Sequence, residues 1–167
     1  GTAVNTASSS GNLTAGEIYS LACQQVVGIT TEVTLTNYFG QTSSSAVAGT
    51  GFIIAEDGYI LTNAHVVDGA EKLVVVVNDY EDAGTTYEYE ATVVGSDAST
   101  DIAVVKITRD EPFVAATIGD SDTLKVGQDV CAIGNPGVTG DVMFEHTMTK
   151  GIISGLNRVS LSEGYSL

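Results

Sequence analysis

GTGFIIAEDGYILTNAHVV, residues 49–67, decides how the rest of the chain is read. Gly49 to Ala55 and Tyr59 to Asn63 are two short apolar runs, and Glu56-Asp57-Gly58 separates them. An Asp-Gly pair between two such runs is a strong hairpin signal, since glycine supplies the backbone freedom of a tight reversal. The second run passes into Leu61-Thr62-Asn63-Ala64-His65-Val66-Val67, so His65 stands where a strand stops and the chain turns. A general base needs such a place, anchored by a rigid strand yet at the rim of a cleft. The plain alternative is a histidine that caps a strand end.

Upstream, residues 1–13 are small, polar and aperiodic, which predicts a flexible arm. Thr14-Ala15-Gly16-Glu17 then has the form of a capping box, and Ile18, Leu21 and Ala22 follow at helical spacing. A short helix is expected over about 15–25. Val27, Ile29, Thr31, Val33 and Leu35 alternate with their neighbours, the mark of a half-buried strand, and TNYFGQTSSSA after them reads as a loop. Downstream, Leu73 to Val77, Tyr87 to Val94 and Ile102 to Ile107 are further strand candidates. Asp110-Glu111-Pro112 breaks the pattern, and strands resume at Val130 to Ile133 and within Val142 to Ser154. Many short strands and one small helix predict an all-β barrel or sandwich, and periodicity does not choose between them.

Composition narrows the function classes. A chain of 167 residues fits one medium domain or a large part of a bilobed one. Its 43% hydrophobic and 16% charged residues call for a packed core rather than disorder. A net charge of −15 repels phosphate backbones and anionic membrane surfaces, which excludes nucleic acid as a partner. No run approaches the roughly 20 apolar residues of a membrane helix. Two cysteines without a Cys-x-x-Cys spacing make no structural zinc site, and nothing asks for a cofactor. Asp79, Glu81, Asp82, Glu88 and Glu90 cluster around a predicted hairpin, but their spacing matches no calcium loop and they read as a solvated acidic face.

Asp101 is the natural partner for His65. It lies in Ser96-Asp97-Ala98-Ser99-Thr100-Asp101-Ile102, directly before an apolar run, where a carboxylate can accept the imidazole proton and fix its tautomer. A turn aspartate is the plain reading, and by spacing alone Asp97 could serve equally. His146, in Phe144-Glu145-His146-Thr147, has no matching carboxylate motif and is expected to pack or hydrogen-bond.

The segment 49–67 resembles the catalytic-histidine region of HtrA-family serine proteases, and Thr100-Asp101-Ile102-Ala103-Val104-Val105-Lys106-Ile107 resembles their catalytic-aspartate segment. Ile118-Gly119-Asp120-Ser121, Val126-Gly127-Gln128, Ala132-Ile133-Gly134-Asn135-Pro136-Gly137 and Thr149-Lys150-Gly151-Ile152-Ile153-Ser154-Gly155 continue the likeness in order. It runs from about Ala15 to Arg158, and several motifs in register are far more specific than one. The resemblance implies a chymotrypsin-type double β-barrel with the active site between the barrels. Residues 14–118 then form the first barrel with its leading helix, and 119–167 begin an incomplete second one. His65 is implied as general base and then general acid, with Asp101 orienting it; Asp97 becomes a supporting turn residue.

The same resemblance exposes a gap. The family's nucleophile sits in Gly-Asn-Ser-Gly-Gly-Pro, which the sequence lacks; Ser121, Ser154, Ser160, Ser162 and Ser166 match other parts of the family. The expectation is therefore a fragment, or one half of a nicked enzyme whose companion fragment carries the serine. Cys131, in the apolar run Val130-Cys131-Ala132-Ile133, has no basic neighbour in sequence and makes a poor substitute nucleophile. The implied function is extracytoplasmic protein quality control, with unfolded polypeptides as substrates and homo-oligomers possible. The rival is a catalytically dead scaffold that binds peptides. For an exported chain, the even cysteine count allows a Cys23–Cys131 disulfide, worth about 4–5 kcal/mol in the chain-entropy model. Two buried free thiols are the alternative.

Overall fold

A computed structural model describes residues 13–36, 38–78, 85–134, 138–139, 142–143 and 146–157. The arm expected at 1–13 falls almost wholly outside that set, as do Asp79, Glu81, Asp82, Ser160, Ser162 and Ser166.

Helix α1 (Ala15–Ala22) starts with the capping box read from sequence. Glu17 N–H donates to Thr14 Oγ1 at 3.3 Å, and Thr14 N–H donates back to Glu17 Oε2 at 2.7 Å. The helix stops sooner than expected, because Cys23-Gln24-Gln25 form turns that lead into the β-branched Val26-Val27.

Strands β1 (Val26–Thr36) and β2 (Thr42–Ile53) pair antiparallel along their whole length, Val26 with Phe52 and Thr36 with Thr42. Thr42 to Ser45, expected in a loop, therefore extend the hairpin; a polar Ser/Thr run can pair when its partner strand fixes the register. Strand β3 (Tyr59–Thr62) returns against β2 through the predicted turn, where Gly58 takes φ +96° and donates its N–H to Ala55 O. After it come the helical turn α2 (Ala64–Val67), β4 (Lys72–Asn78), β5 (Thr86–Glu90), β6 (Thr92–Asp97) and β7 (Ile102–Lys106). The seven strands lie in the order β5-β4-β1-β2-β3-β7-β6.

The single strand expected over Tyr87 to Val94 is two, with a corner at Ala91, whose N–H donates to Leu73 O. That corner joins the two ends of the strand order covalently, since β5 pairs with β4 and β6 with β7. The sheet curls into a first barrel. Val27, Ile53, Ile60, Val75 and Val105 fill its interior at 0% exposure, and Ile107 and Phe113 extend the same core.

From Ile107 the chain crosses the barrel surface, where Phe113 N–H donates to Glu56 O and Ala116 N–H to Ile53 O. It then enters a smaller region of β8 (Asp129–Gly134) paired with β11 (Thr147–Ile152), beside the short pair β9 (Val138–Thr139) and β10 (Val142–Met143). This small second sheet stands where the expected fold begins its second barrel. His146 ties it to the first. The buried ring donates from Nε2 to Val26 O at 2.6 Å and accepts from Asn78 Nδ2 at Nδ1, also at 2.6 Å. Its carbonyl accepts from Tyr19 OH of α1 at 2.9 Å.

Cys23 and Cys131 are both free, half-buried thiols in the structure. Partial burial pushes the Cys23 thiol up from its ordinary value, against a hydrogen bond with Tyr19. Cys131 does have a basic neighbour after all, since Lys150 stands opposite it across β8 and β11; cross-strand register conceals that from a linear reading.

Candidate active site

The two predicted site residues meet because of strand register. β3 and β7 run antiparallel with Thr62 opposite Ala103, so the residues after β3 and before β7 emerge side by side at one end of the barrel. Thr62 is buried and its hydroxyl donates to Thr50 O at 2.8 Å, which fixes the end of β3.

Asn63 then serves as N-cap of α2, and Ala64, Val66 and Val67 plug into the barrel. His65 is the one residue of that turn left facing outward, its side chain 70% exposed. The close approach of Val66 depends on Gly49, because a Cβ there would sit 2.6 Å from Val66 Cγ1. Two features of the segment 49–67, a glycine near its start and the histidine near its end, are thus parts of one packing arrangement.

Asp101 closes the four-residue connection between β6 and β7, where Asp97 pairs with Ile102. It takes φ +54°, a left-handed conformation that aspartate tolerates better than most residues. From there its carboxylate reaches the His65 ring, with Nδ1 2.8 Å from Oδ2 and 3.0 Å from Oδ1. The His65 backbone N–H also donates to Oδ1 at 2.9 Å. A carboxylate that already accepts other N–H bonds requires the proton on Nδ1, so Nε2 keeps its lone pair free to accept a proton. The His65 amide, then its ring N–H and charge and the Asn63 amide, hold the Asp101 carboxyl below its ordinary value, against a smaller desolvation effect.

Asn63 was not singled out in the sequence. Its Nδ2 donates to Asp101 O at 3.2 Å and Oδ2 at 3.3 Å, bracing both ends of the aspartate. An N-cap residue type two places before the histidine was the signal that could have revealed it. Asp97, the rival partner, accepts hydrogen bonds from Ser99 and Thr100 instead. His146 belongs to the junction described above.

A largely apolar cleft of about 290 Å³ opens beside the pair, lined by Thr50, Phe52, Leu61, Asn63 and Ile102 of the first barrel and Ile133 of β8. Among the described residues no cluster of His, Cys, Asp and Glu could hold a metal ion. The chemistry on hand is that of an oriented imidazole base at a cleft rim.

Comparison with known proteins gives a consistent picture. The family described as trypsin-like peptidase domain matches residues 49–166. A "Probable periplasmic serine endoprotease DegP-like" of Halomonas elongata is 46% identical over 119 residues, 71% of this chain and 23% of that protein. One with the same name from a Marinomonas species is 46% identical over 127 residues, covering 75% and 24%. The solved structure "HtrA-type protease AlgW with decapeptide" superposes with TM-score 0.70 at 30% identity, over 90% of this chain and 48% of that one. A variant of that protease with decapeptide gives TM-score 0.78, also at 30% identity, over 92% and 49%. The chain spans about half the length of these solved proteins and about a quarter of the curated relatives.

Proposed function

Because the chain belongs to the trypsin-like peptidase domain family, in its HtrA branch, we propose that His65 and Asp101 are two members of a Ser-His-Asp triad that hydrolyses peptide bonds. The observation that carries the reading is the 2.8 Å contact between His65 Nδ1 and Asp101 Oδ2 on an imidazole whose face is open to solvent. His65 Nε2 takes the proton of a serine hydroxyl while its oxygen bonds to the substrate carbonyl carbon. The imidazolium, stabilised by Asp101, then protonates the leaving amine as the C–N bond breaks. Water hydrolyses the acyl-enzyme by the same proton route in reverse.

The serine lies outside these 167 residues, none of which stands in a Gly-Asn-Ser-Gly-Gly-Pro context. Further sequence of the same protein or a bound companion fragment supplies it. In this reading 14–118 is the barrel that presents the base, and 119–167 is the part of the second barrel on which the serine-bearing strands assemble. Substrates are polypeptides, in keeping with relatives named endoproteases and a solved neighbour with a bound decapeptide. Periplasmic naming of the relatives supports an extracytoplasmic enzyme of protein quality control.

The test is the rate at which a fluorophosphonate probe labels the full-length protein, alongside casein hydrolysis. Labelling of one serine is expected, falling by about 10⁴-fold in Asp101→Asn and at least as far in His65→Ala. Absence of any serine adduct on the intact assembly would instead favour a peptide-binding scaffold without catalysis.

A further inference from the structure

Asp101 carries a cost that its place in the β6–β7 connection does not by itself relieve. It is one of two described non-glycine residues at positive φ, the other being Asn157. Glycine would adopt φ +54° without steric penalty but could not present a carboxylate to His65. Something else must hold the backbone, and the preceding residues do so through one side chain. Asp97 Oδ1 accepts from Ser99 N–H at 2.9 Å and Ser99 Oγ at 2.7 Å, while Oδ2 accepts from Thr100 Oγ1 at 3.0 Å. These charge-assisted bonds reach every residue of the connection except Ala98 and Asp101 itself. On the far side, Asn63 Nδ2 holds the Asp101 carbonyl.

We propose that Asp97 is a positioning residue for the His65–Asp101 pair. Its carboxylate locks Ser99 and Thr100 into the turn that delivers Asp101 in the left-handed conformation, and so sets where the Asp101 carboxylate meets the His65 ring. Asp97 touches neither His65 nor substrate and acts only through Asp101. The same bonds hold the Asp97 carboxyl below its ordinary value, which favours the ionised acceptor. The assignment rests on the triad reading above and sharpens it.

The experiment is a double-mutant cycle in the full-length protein, with kcat and KM measured on labelled casein and folding checked by urea denaturation. Asp97→Ala is expected to lower kcat roughly 10- to 100-fold with KM unchanged. In an Asp101→Asn background the same substitution should cost nothing further. Asp97→Asn keeps Oδ1 for both Ser99 donors and should retain most of the activity. The NMR signal of the His65 Nδ1 proton should broaden in Asp97→Ala, a readout that needs no turnover. An undiminished kcat in Asp97→Ala, or an equal loss in both backgrounds, overturns the assignment while leaving the triad intact. If Asp101→Asn alone changes nothing, the triad reading falls and this one with it. Should Asp97→Ala not fold, Ser99→Ala and Thr100→Val each delete one donor and are read in the same cycle.

Discussion

The two lobes are built from similar strands and end in opposite states. In the first barrel Ile60 and Val105 face each other across β3 and β7 at 0% exposure. In the second region Val126 and Ile152 stand 63% and 57% exposed. Hydrophobicity does not separate them, since Val130-Cys131-Ala132-Ile133 in β8 is as apolar as Ile102-Ala103-Val104-Val105 in β7. What separates them is closure. The corner at Ala91 links the two end strands of the first sheet, and the curled sheet encloses Val27, Ile53, Ile60, Val75 and Val105, whereas a pair of strands such as β8 and β11 cannot surround its own side chains. Burial belongs to the topology more than to the strand. Both candidate site residues sit on the first lobe, at the ends of β3 and β7, so their contact needs nothing from β8 or β11.

The largest effect that tests this contrast comes from paired truncations in the 167-residue polypeptide. Ile60→Ala empties a fully enclosed position and should destabilise by about 2–5 kcal/mol. Ile152→Ala removes a side chain already more than half in water and should stay within about 0.5 kcal/mol. Urea midpoints measure both. In an assembly that includes the proposed serine-bearing strands, the Ile152→Ala cost should rise toward the Ile60 value. Equal costs for the two truncations in the short polypeptide would break the contrast.

A smaller effect probes the link between core and site. Gly49→Ala puts a methyl group 2.6 Å from Val66 Cγ1 and 2.7 Å from Cγ2, and β-branched Val66 has little rotamer freedom with which to retreat. The cost should be about 1–3 kcal/mol, with a matching fall in activity because Val66 adjoins His65 in α2. Val66→Ala in the same chain should restore much of both. Loss of stability with unchanged activity would show that the base is held independently of the core beneath it.

How much of this was legible in the sequence varied with distance along the chain. Thr14 and Glu17 announced α1, and the Asp57-Gly58 turn announced the β2–β3 hairpin, because caps and tight turns are local chemistry. The place of Asp101 before an apolar run made it the natural partner of His65, but spacing alone left Asp97 open until the family likeness favoured Asp101, and the β3–β7 register separates the two. The corner at Ala91 was unreadable for a related reason. Tyr87 to Val94 alternates without a break, and the bend comes from pairing with β4 on one side and β7 on the other. Asn63, Gly49 and the Lys150–Cys131 pairing were likewise hidden, since each matters through a residue remote in sequence.

The smallest expected effect separates the lobes by pH. In the first, Asp101 and Asp97 have carboxyls held below the ordinary 3.8 by hydrogen bonds. A depressed folded pKa gives stability that is present above the unfolded value and lost as pH falls through the folded one, so this lobe loosens at the acid end. In the second, Lys150 Nζ lies 2.9 Å from Asp129 Oδ2, and that carboxylate raises the lysine above its ordinary 10.5. A raised pKa works the other way, giving stability that is full below the unfolded value and lost as pH climbs through the folded one. Both partners are mostly solvated, so the pair contributes little and salt screens it. Lys150→Met should therefore flatten the alkaline limb of a stability profile and leave the acid limb alone, while Asp97→Asn does the reverse. Amide exchange read separately for β7 and β11 checks the assignment. A shared response of both strands at one extreme of pH would mean that the lobes unfold as a unit, with the His146 hydrogen bonds to Val26 and Asn78 strong enough to couple them.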